Sequence, residues 1–197
     1  MKPKLNNKGS LIGDKLMDQC LTPFYAVGPL LPYLDKSAIL WDGFFAGGFQ
    51  KLRASMPVVL QHYYNITFSG IVWGQNFFNY EPDKWDIFVT NPAYSIKFSV
   101  LKRCYELGKP FALLLPVEVL GAKTAQVMFE KYGMEVILLN KRVDFYMPKK
   151  GFKSSAQFPT CWITSGLNIG RDITYGKLNK PSKKEMIEIW EGTFNGK

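Results

Sequence analysis

The tetrapeptide Asn91-Pro92-Ala93-Tyr94 directly follows a hydrophobic run that ends at Thr90. An amide side-chain oxygen and a proline carbonyl can both accept hydrogen bonds from an exocyclic amine, and an aromatic ring can stack on the base that carries this amine. Open α/β sheets place their ligand sites at the carboxyl ends of strands. The tetrapeptide therefore predicts an amine-binding site, with an ordinary Asn-Pro turn after a strand as the alternative.

The tetrapeptide resembles the (Asp/Asn/Ser)-Pro-Pro-(Tyr/Phe) motif of S-adenosylmethionine-dependent amino-methyltransferases, especially the DNA adenine-N6 family, in which asparagine is typical at the first position. The resemblance implies that Asn91, Pro92, Ala93 and Tyr94 form the catalytic loop. Ala93 stands where the family has its second proline. Because the family's backbone acceptor is the carbonyl of the first proline, here Pro92, we expect Ala93 to loosen the loop and not to remove a catalytic group.

A glycine-rich segment, Asp42-Gly43-Phe44-Phe45-Ala46-Gly47-Gly48, follows a short predicted strand upstream. Glycines let a backbone approach a cofactor closely, and an acidic side chain at a strand end can meet an ammonium group. The segment resembles the family's first motif, (Asp/Glu)-Pro-Phe-x-Gly-x-Gly, with glycine for proline and an adjacent glycine pair for a spaced one. The resemblance implies S-adenosyl-L-methionine as cofactor and these binding residues: Asp42, Gly43, Phe44, Gly47 and Gly48.

Two further segments resemble cofactor motifs of the same family. Thr22-Pro23-Phe24-Tyr25 is similar to the segment that flanks the cofactor, which implies that Thr22, Pro23 and Tyr25 bind it. Asn76 and Phe77 stand where the family commonly has Asp-Phe-Phe, and an asparagine can still accept a hydrogen bond although it lacks the charge. The second predicted strand ends near Ser69 or Gly70, with no carboxylate for the cofactor ribose. Along the chain, the segment that flanks the cofactor comes first, the cofactor loop second and the catalytic loop third.

The formal net charge is +9, and the residues from Lys141 onward carry eleven basic against five acidic side chains. Such a balance favours a polyanion such as nucleic acid, and a solvated lysine face is the alternative. The resemblance implies that the nucleic acid is DNA. The loop 146–159 mixes lysines with aromatic residues and is too long for a simple turn. We expect its nucleic-acid contacts to come from Lys149, Lys150, Phe152 and Lys153, or else the loop is a solvated hairpin tip.

Alternation of strand and helix patterns predicts an α/β fold with a doubly wound, mostly parallel sheet. The patterns also predict a helix from Lys97 to Leu107 with Gly108 after it, and an extended segment at Ile71-Val72-Trp73. By periodicity the segment 56–64 is either helix or strand. The segments 142–145 and 160–164 read as a strand pair, so we expect an antiparallel edge hairpin. The resemblance implies a Rossmann-like class I methyltransferase domain over 22–179, between a flexible arm (1–21) and a tail (180–197).

No run of apolar residues reaches membrane-spanning length and no signal peptide is evident, which predicts an intracellular protein without a membrane partner. Three separated cysteines and one histidine form no metal pattern.

The resemblance implies methyl transfer to the N6 amine of adenine in DNA. Asn91 and the Pro92 carbonyl would localise the amine lone pair, and Tyr94 would stack on a base turned out of its helix. No nucleophilic cysteine or metal is needed. Three alternatives stay open: the same chemistry on RNA or on another amine, such as a glutamine amide, and a catalytically inactive subunit that binds nucleic acid or a partner. Because the resemblance covers 22–165 and leaves little chain for a separate recognition domain, we expect sequence specificity to be low or to be supplied by a partner subunit.

Overall fold

The computed structural model describes residues 21–45, 55–147, 151–152 and 158–191. It has a mixed α/β architecture with a seven-stranded, mostly parallel sheet and, over the described residues, four α-helices. The strands are β1 (Ile39–Asp42), β2 (Asn65–Phe68), β3 (Ile87–Thr90), β4 (Phe111–Pro116), β5 (Glu135–Leu139), β6 (Tyr146–Met147), β7 (Gly151–Phe152), β8 (Thr160–Ser165) and β9 (Ile173–Gly176). The helices are α1 (Met56–Tyr63), α2 (Lys97–Leu107), α3 (Lys123–Tyr132) and α4 (Lys183–Glu191).

The strand order in the large sheet is β2-β1-β3-β4-β8-β5-β9, and β6 pairs with β7 in a separate ladder. All neighbours in the large sheet are parallel except β8, which is antiparallel to both β4 and β5. The predicted antiparallel edge hairpin is therefore wrong, because the antiparallel strand lies inside the sheet. Five of the six β8 residues are buried, so this apolar strand is covered on both faces and paired along both edges.

Residues 142–145 do not form the predicted partner strand of β8. Both edges of β8 are already occupied by β4 and β5, which leaves no backbone for a third neighbour. The alternation that suggested a strand has another cause: Val143 and Phe145 are buried in the core, while the Asp144 N–H donates to the hydroxyl of Tyr25 at 2.8 Å. The segment is thus held by side chains and not by a β ladder.

Two hydrophobic clusters cover the two faces of the sheet. One contains alternate strand residues such as Leu40 and Val89 and packs against α1, α4 and the 3-10 helix Phe24–Ala26. The other contains the intervening residues, such as Trp41, and packs against α2 and α3. Alternation along each strand therefore sends neighbouring side chains into different helical layers. Helices on both faces are the arrangement expected of a sheet that is buried on both sides.

Local sequence signals agree with most elements near the predicted site. The helix α2 has the predicted bounds, and Gly108 follows it with a φ of 67°, the left-handed conformation that glycine adopts without strain. The ambiguous segment around Leu60 is helix α1. The segment Ile71–Trp73, predicted to be extended, is a 3-10 helix whose three side chains are exposed. Exposure removes the packing that would hold an apolar run in a sheet.

The last described element, after β9, is helix α4. Ser182 and Glu185 form a reciprocal cap, because the Ser182 N–H donates to the Glu185 carboxylate at 2.7 Å and the Glu185 N–H donates to the Ser182 hydroxyl at 3.2 Å. Met186 anchors the helix in the core at 3% exposure. No helix in the described ranges is long and apolar enough to cross a membrane.

Candidate active site

The chain reverses its direction of winding between β1 and β3. The strand β2 lies on one side of β1 and β3 lies on the other, so the loops that leave β1 and β3 diverge. Such a switch point leaves a crevice at the carboxyl ends of the strands, where open α/β sheets bind ligands. Asp42 is the last residue of β1, and Asn91 follows the last residue of β3. The fold therefore brings two distant sequence motifs to one crevice.

Asp42 is a buried carboxylate in this crevice, with 4% of its surface exposed. Its Oδ1 accepts a hydrogen bond from the Thr90 hydroxyl at 2.7 Å and another from the Phe44 N–H at 3.1 Å. Burial raises the pKa of Asp42 from its ordinary 3.8 to about 6, and the two hydrogen bonds lower it only in part. Among the described residues no basic side chain forms an ion pair with it. Within the described part of the chain, the site thus holds a buried carboxylate that has no cationic partner.

The two polar atoms of the Asn91 side-chain amide differ: the nitrogen is anchored by a hydrogen bond, and the oxygen has no described partner. Its Nδ2 donates to the Thr22 hydroxyl at 2.8 Å, while its buried Oδ1 accepts no hydrogen bond from the part of the chain that the structure describes. Thr22 is itself buried, and its carbonyl accepts from the Met56 N–H at 2.8 Å. A fixed Thr22 therefore holds the amide with Oδ1 available as an acceptor. Burying an acceptor without a partner costs about 1–3 kcal/mol, which is unusual unless a ligand completes the site.

The rest of the tetrapeptide leads from β3 into α2. Pro92 is buried, and Ala93 precedes the 3-10 helix Tyr94–Ile96 with a φ of −58° and a ψ of 124°. This φ lies in the range that a proline ring imposes. The Tyr94 ring packs edge-on against Phe145 and Phe158, with ring centroids 6.4 Å and 5.7 Å apart. The loop is thus supported from the segments before β6 and before β8.

The aromatic residues of the predicted cofactor motifs pack against one another and against β3. The Phe77 ring is 2% exposed and stacks on Phe88 at 4.8 Å. A Cβ atom on Gly43 would lie 2.9 Å from Phe77 and 3.0 Å from Phe88, so glycine is required by this packing. Phe44 also contacts Phe77, at 5.1 Å between centroids. These aromatic residues form one packed cluster. The Asn76 Oδ1 accepts a hydrogen bond from the Phe78 N–H at 3.1 Å and so caps the turn that carries Phe77.

The flanking segment is divided between two environments. Thr22 lies at the site, and Pro23 pairs with Ser55 in an isolated antiparallel bridge. The Tyr25 hydroxyl accepts from the Asp144 backbone, and burial raises its pKa well above the usual value. Tyr25 therefore braces the segment that carries Asp144. Six of the predicted positions have no described side chain: Gly47, Gly48, Lys149, Lys150 and Lys153 lie outside the described residues, and Phe152 is described only as part of β7.

Thr90 is the residue at this site that sequence reasoning missed. Its hydroxyl is buried and joins the end of β3 to the carboxylate at the end of β1. The available signal was a single hydroxyl at the end of an otherwise apolar strand. Ser69 follows β2 as predicted, and its hydroxyl accepts from the Trp41 indole N–H at 2.8 Å. No carboxylate ends this strand.

A separate cavity of about 270 Å³ lies between α2 and α3, and none of the predicted site residues lines it. Its lining is mainly apolar, and its Lys102 and Glu106 side chains pair with each other. It offers no convergent polar groups, so we place the chemistry at the β1–β3 crevice. Within the described ranges no three acidic, histidine or cysteine side chains gather as a metal site would require.

Comparisons with known proteins do not assign this chain. A scan against protein-family models gives no match, and searches of curated proteins and of solved structures give none either. The functional argument therefore depends on the site itself.

Proposed function

We propose that this protein is an S-adenosylmethionine-dependent methyltransferase that transfers a methyl group to the N6 amine of adenine in DNA. The proposal includes a Rossmann-like class I methyltransferase fold, which the mixed α/β sheet and its switch point support. The observation that carries it is the buried Asn91 Oδ1, an acceptor that has no partner and is fixed at the end of β3. An amine donor is the ligand that such an acceptor lacks.

The residues of the crevice fit the cofactor in one respect and diverge in another. The Asp42 carboxylate is buried and forms no ion pair within the described residues, and the cofactor's ammonium group would supply a cation. The ribose position is different, because β2 ends at Ser69, whose hydroxyl is already occupied by Trp41. We therefore assign the main electrostatic contact to Asp42 and expect weaker binding than an additional carboxylate would provide.

Asn91 and Pro92 would act on the substrate amine through orientation and hydrogen bonding. The lone pair of an adenine amine is delocalised into the ring, which makes the nitrogen a poor nucleophile. Two acceptors, Asn91 Oδ1 and the Pro92 carbonyl, would bind the two amine hydrogens and localise the lone pair on nitrogen. The bound cofactor supplies an electrophilic methyl group on a sulfonium. With this group supplied, the amine held by Asn91 and Pro92 would form the new N–C bond while the sulfonium sulfur leaves, and the amine would then release one proton to water.

Thr22 would keep the amide of Asn91 in the orientation that this step needs. Its hydroxyl accepts from Nδ2, which leaves Oδ1 and not the NH₂ group toward the amine. Tyr94 would stack on the target base, as aromatic platforms do for bases outside a helix, with a contribution of ~1–3 kcal/mol. The base must leave its duplex to reach the crevice.

The test is methyl transfer from labelled S-adenosylmethionine to adenine-containing single-stranded and duplex DNA, with the methylated nucleoside identified by mass spectrometry. We expect N6-methyladenine with the wild-type protein and a loss of at least ~100-fold with Asn91→Ala. The loss follows from removing an acceptor from the transition state, which typically costs ~10²–10³ in rate. The matched control is Asn79→Ala, at an exposed asparagine, which should retain the wild-type rate.

An inactive subunit is the second candidate, and the missing carboxylate after β2 favours it. This candidate predicts nucleic-acid binding without methyl incorporation on DNA or RNA, and binding that is insensitive to Asn91→Ala. Incorporation into RNA but not DNA would retain the chemistry of Asn91 and change the substrate. Incorporation that Asn91→Ala leaves intact would refute the assignment of Asn91.

A further inference from the structure

The segments that leave β5 and β9 lie side by side on the same sheet edge as the candidate active site. The last β5 residue, Leu139, is in register with Gly176 at the end of β9. Asn140 joins the two segments twice: its N–H donates to the Gly176 carbonyl at 3.0 Å, and its Oδ1 accepts from the Leu178 N–H at 2.9 Å. The residues that follow both strands are therefore held together by backbone geometry.

Three basic residues in these segments form what we call the β5–β9 basic cluster: Lys141, Arg142 and Lys177. All three are exposed, and within the described part of the chain none of them forms an ion pair. The acidic residue nearest in sequence to the β5 end is Asp144, and its carboxylate pairs with Lys180 at 2.6 Å. The cluster therefore carries three positive charges that this acid does not neutralise.

The position of the cluster relative to Asn91 follows from the strand order. Since β4 and β8 lie between β3 and β5, the ends of β5 and β9 are three and four strand spacings from β3. At ~4.8 Å per spacing, the lateral separation is ~14–19 Å. A stacked nucleic-acid strand rises ~3.4 Å per nucleotide, so this separation corresponds to about four to six nucleotides.

We infer that the β5–β9 basic cluster binds the phosphates of the polynucleotide about four to six nucleotides from the base held at Asn91. The inference rests on the proposed function for the position of the target base. Two features favour phosphates as the ligand: the charges are uncompensated, and they share an edge with a site that would take a base. Phosphate contacts of this kind position a substrate without reading its sequence.

The test compares the wild-type protein with the triple variant Lys141→Gln/Arg142→Gln/Lys177→Gln. Affinity for fluorescein-labelled 20-nucleotide DNA with one central adenine is measured by fluorescence anisotropy at 50 mM and 200 mM salt. Each lost phosphate contact lowers the salt slope by ~0.7 for single strands and ~0.9 for duplex. Between 50 mM and 200 mM salt, the three contacts add an extra loss of affinity that the variant does not show. This extra factor is ~20 for a single strand and ~40 for a duplex.

A second probe tests the distance. A five-nucleotide DNA with a central adenine reaches only two nucleotides from the target base, so it cannot reach the cluster. We expect the wild-type protein and the variant to bind this short probe with the same salt slope. An RNA 20-mer is measured in parallel, and a slope difference on RNA alone would support the cluster and identify RNA as the source of the phosphates.

The matched control carries the same charge change on the opposite sheet edge. Lys36, Lys84 and Arg171 are exposed and precede the amino ends of β1, β3 and β9. Their triple replacement by glutamine should leave the salt slope for the 20-mer unchanged.

Three results would overturn the inference: equal slopes for wild type and cluster variant on both 20-mers, an equal loss in the control variant, or an equal effect on the short probe. These results are independent of the proposed function, which is tested by cofactor binding and methyl transfer. A protein that binds S-adenosylmethionine but shows no slope difference would retain the proposed function and lose the cluster. A slope difference in a protein that shows no methyl transfer would support the cluster and contradict the proposed function.

Discussion

Replacing Asp42 by asparagine should stabilise the protein in a pH-dependent way. Burial holds the pKa of Asp42 at about 6 against an ordinary value of 3.8. The folded protein therefore binds the proton more tightly than the unfolded chain, and wild-type stability falls as pH rises from ~4 to ~6. A shift of about two units corresponds to ~3 kcal/mol, of which ~2–3 kcal/mol develops between pH 4 and pH 8.

The expected observable is the difference in unfolding free energy between Asp42→Asn and wild type. Asparagine retains an oxygen that can accept from Thr90 and from the Phe44 N–H, but it cannot ionise. Its added NH₂ group imposes a cost that does not change with pH. The difference should therefore shift in favour of the variant by ~2–3 kcal/mol between pH 4 and pH 8, whatever its value at pH 4.

Urea unfolding followed by tryptophan fluorescence at five pH values between 4 and 8 measures this difference. Thr90→Val is the matched perturbation, because it removes a hydrogen bond that lowers the pKa of Asp42 and retains the side-chain shape. When Asp42 is present, Thr90→Val should increase the loss of unfolding free energy as the pH rises. In the Asp42→Asn background, Thr90→Val should not change the pH dependence. A difference that is flat from pH 4 to pH 8, or one that moves against the variant, would refute the buried-anion reasoning.

Three further substitutions test the site and its supports. Gly70→Ala should destabilise the fold by at least ~1–3 kcal/mol in urea unfolding, because its Cβ would lie 2.1 Å from a backbone carbonyl oxygen, whereas Gly121→Ala, with open space around it, should be near neutral. Thr22→Val should lower kcat for methyl transfer ~10-fold with an unchanged KM for the cofactor, because Asn91 loses its anchor. Thr22→Ser keeps the hydroxyl and should retain the rate. Equal losses in both variants would exclude the hydroxyl as the cause. Ala93→Pro should be tolerated and should stabilise by ~0.4–1 kcal/mol, because the backbone φ is already −58°; a lower unfolding midpoint would show that the loop cannot hold the ring.

The sequence was most informative where local pattern decides the structure. The helix α2 was predicted to the residue, because an amphipathic run ends at a glycine that adopts the left-handed conformation. The strand β3 was predicted because a short apolar run ends at a turn signal, and this prediction also placed Asn91 at a strand's carboxyl end.

Pairing between distant segments was beyond the reach of sequence patterns. An apolar run such as β8 indicates a strand buried on both faces, but nothing local says which strands flank it, so its place between β4 and β5 was missed. The bond from Asn91 to Thr22 joins residues 69 positions apart and was equally invisible. The family resemblance implied that Asp42 and Asn91 would share a site, and it gave no indication that Thr90 would connect them.

The most direct test of the central claim is thermal unfolding at pH 8 with and without saturating S-adenosylmethionine or its demethylated product. A ligand at a hundred times its dissociation constant stabilises the folded state by ~2.7 kcal/mol. At ~2–4 °C per kcal/mol for a chain of this size, the midpoint should rise by ~5–10 °C in the wild-type protein. The rise should be much smaller in Asp42→Asn, which lacks the anion for the cofactor's ammonium group. A well-folded wild-type protein whose midpoint does not move with either ligand would contradict the claim that this crevice binds the cofactor.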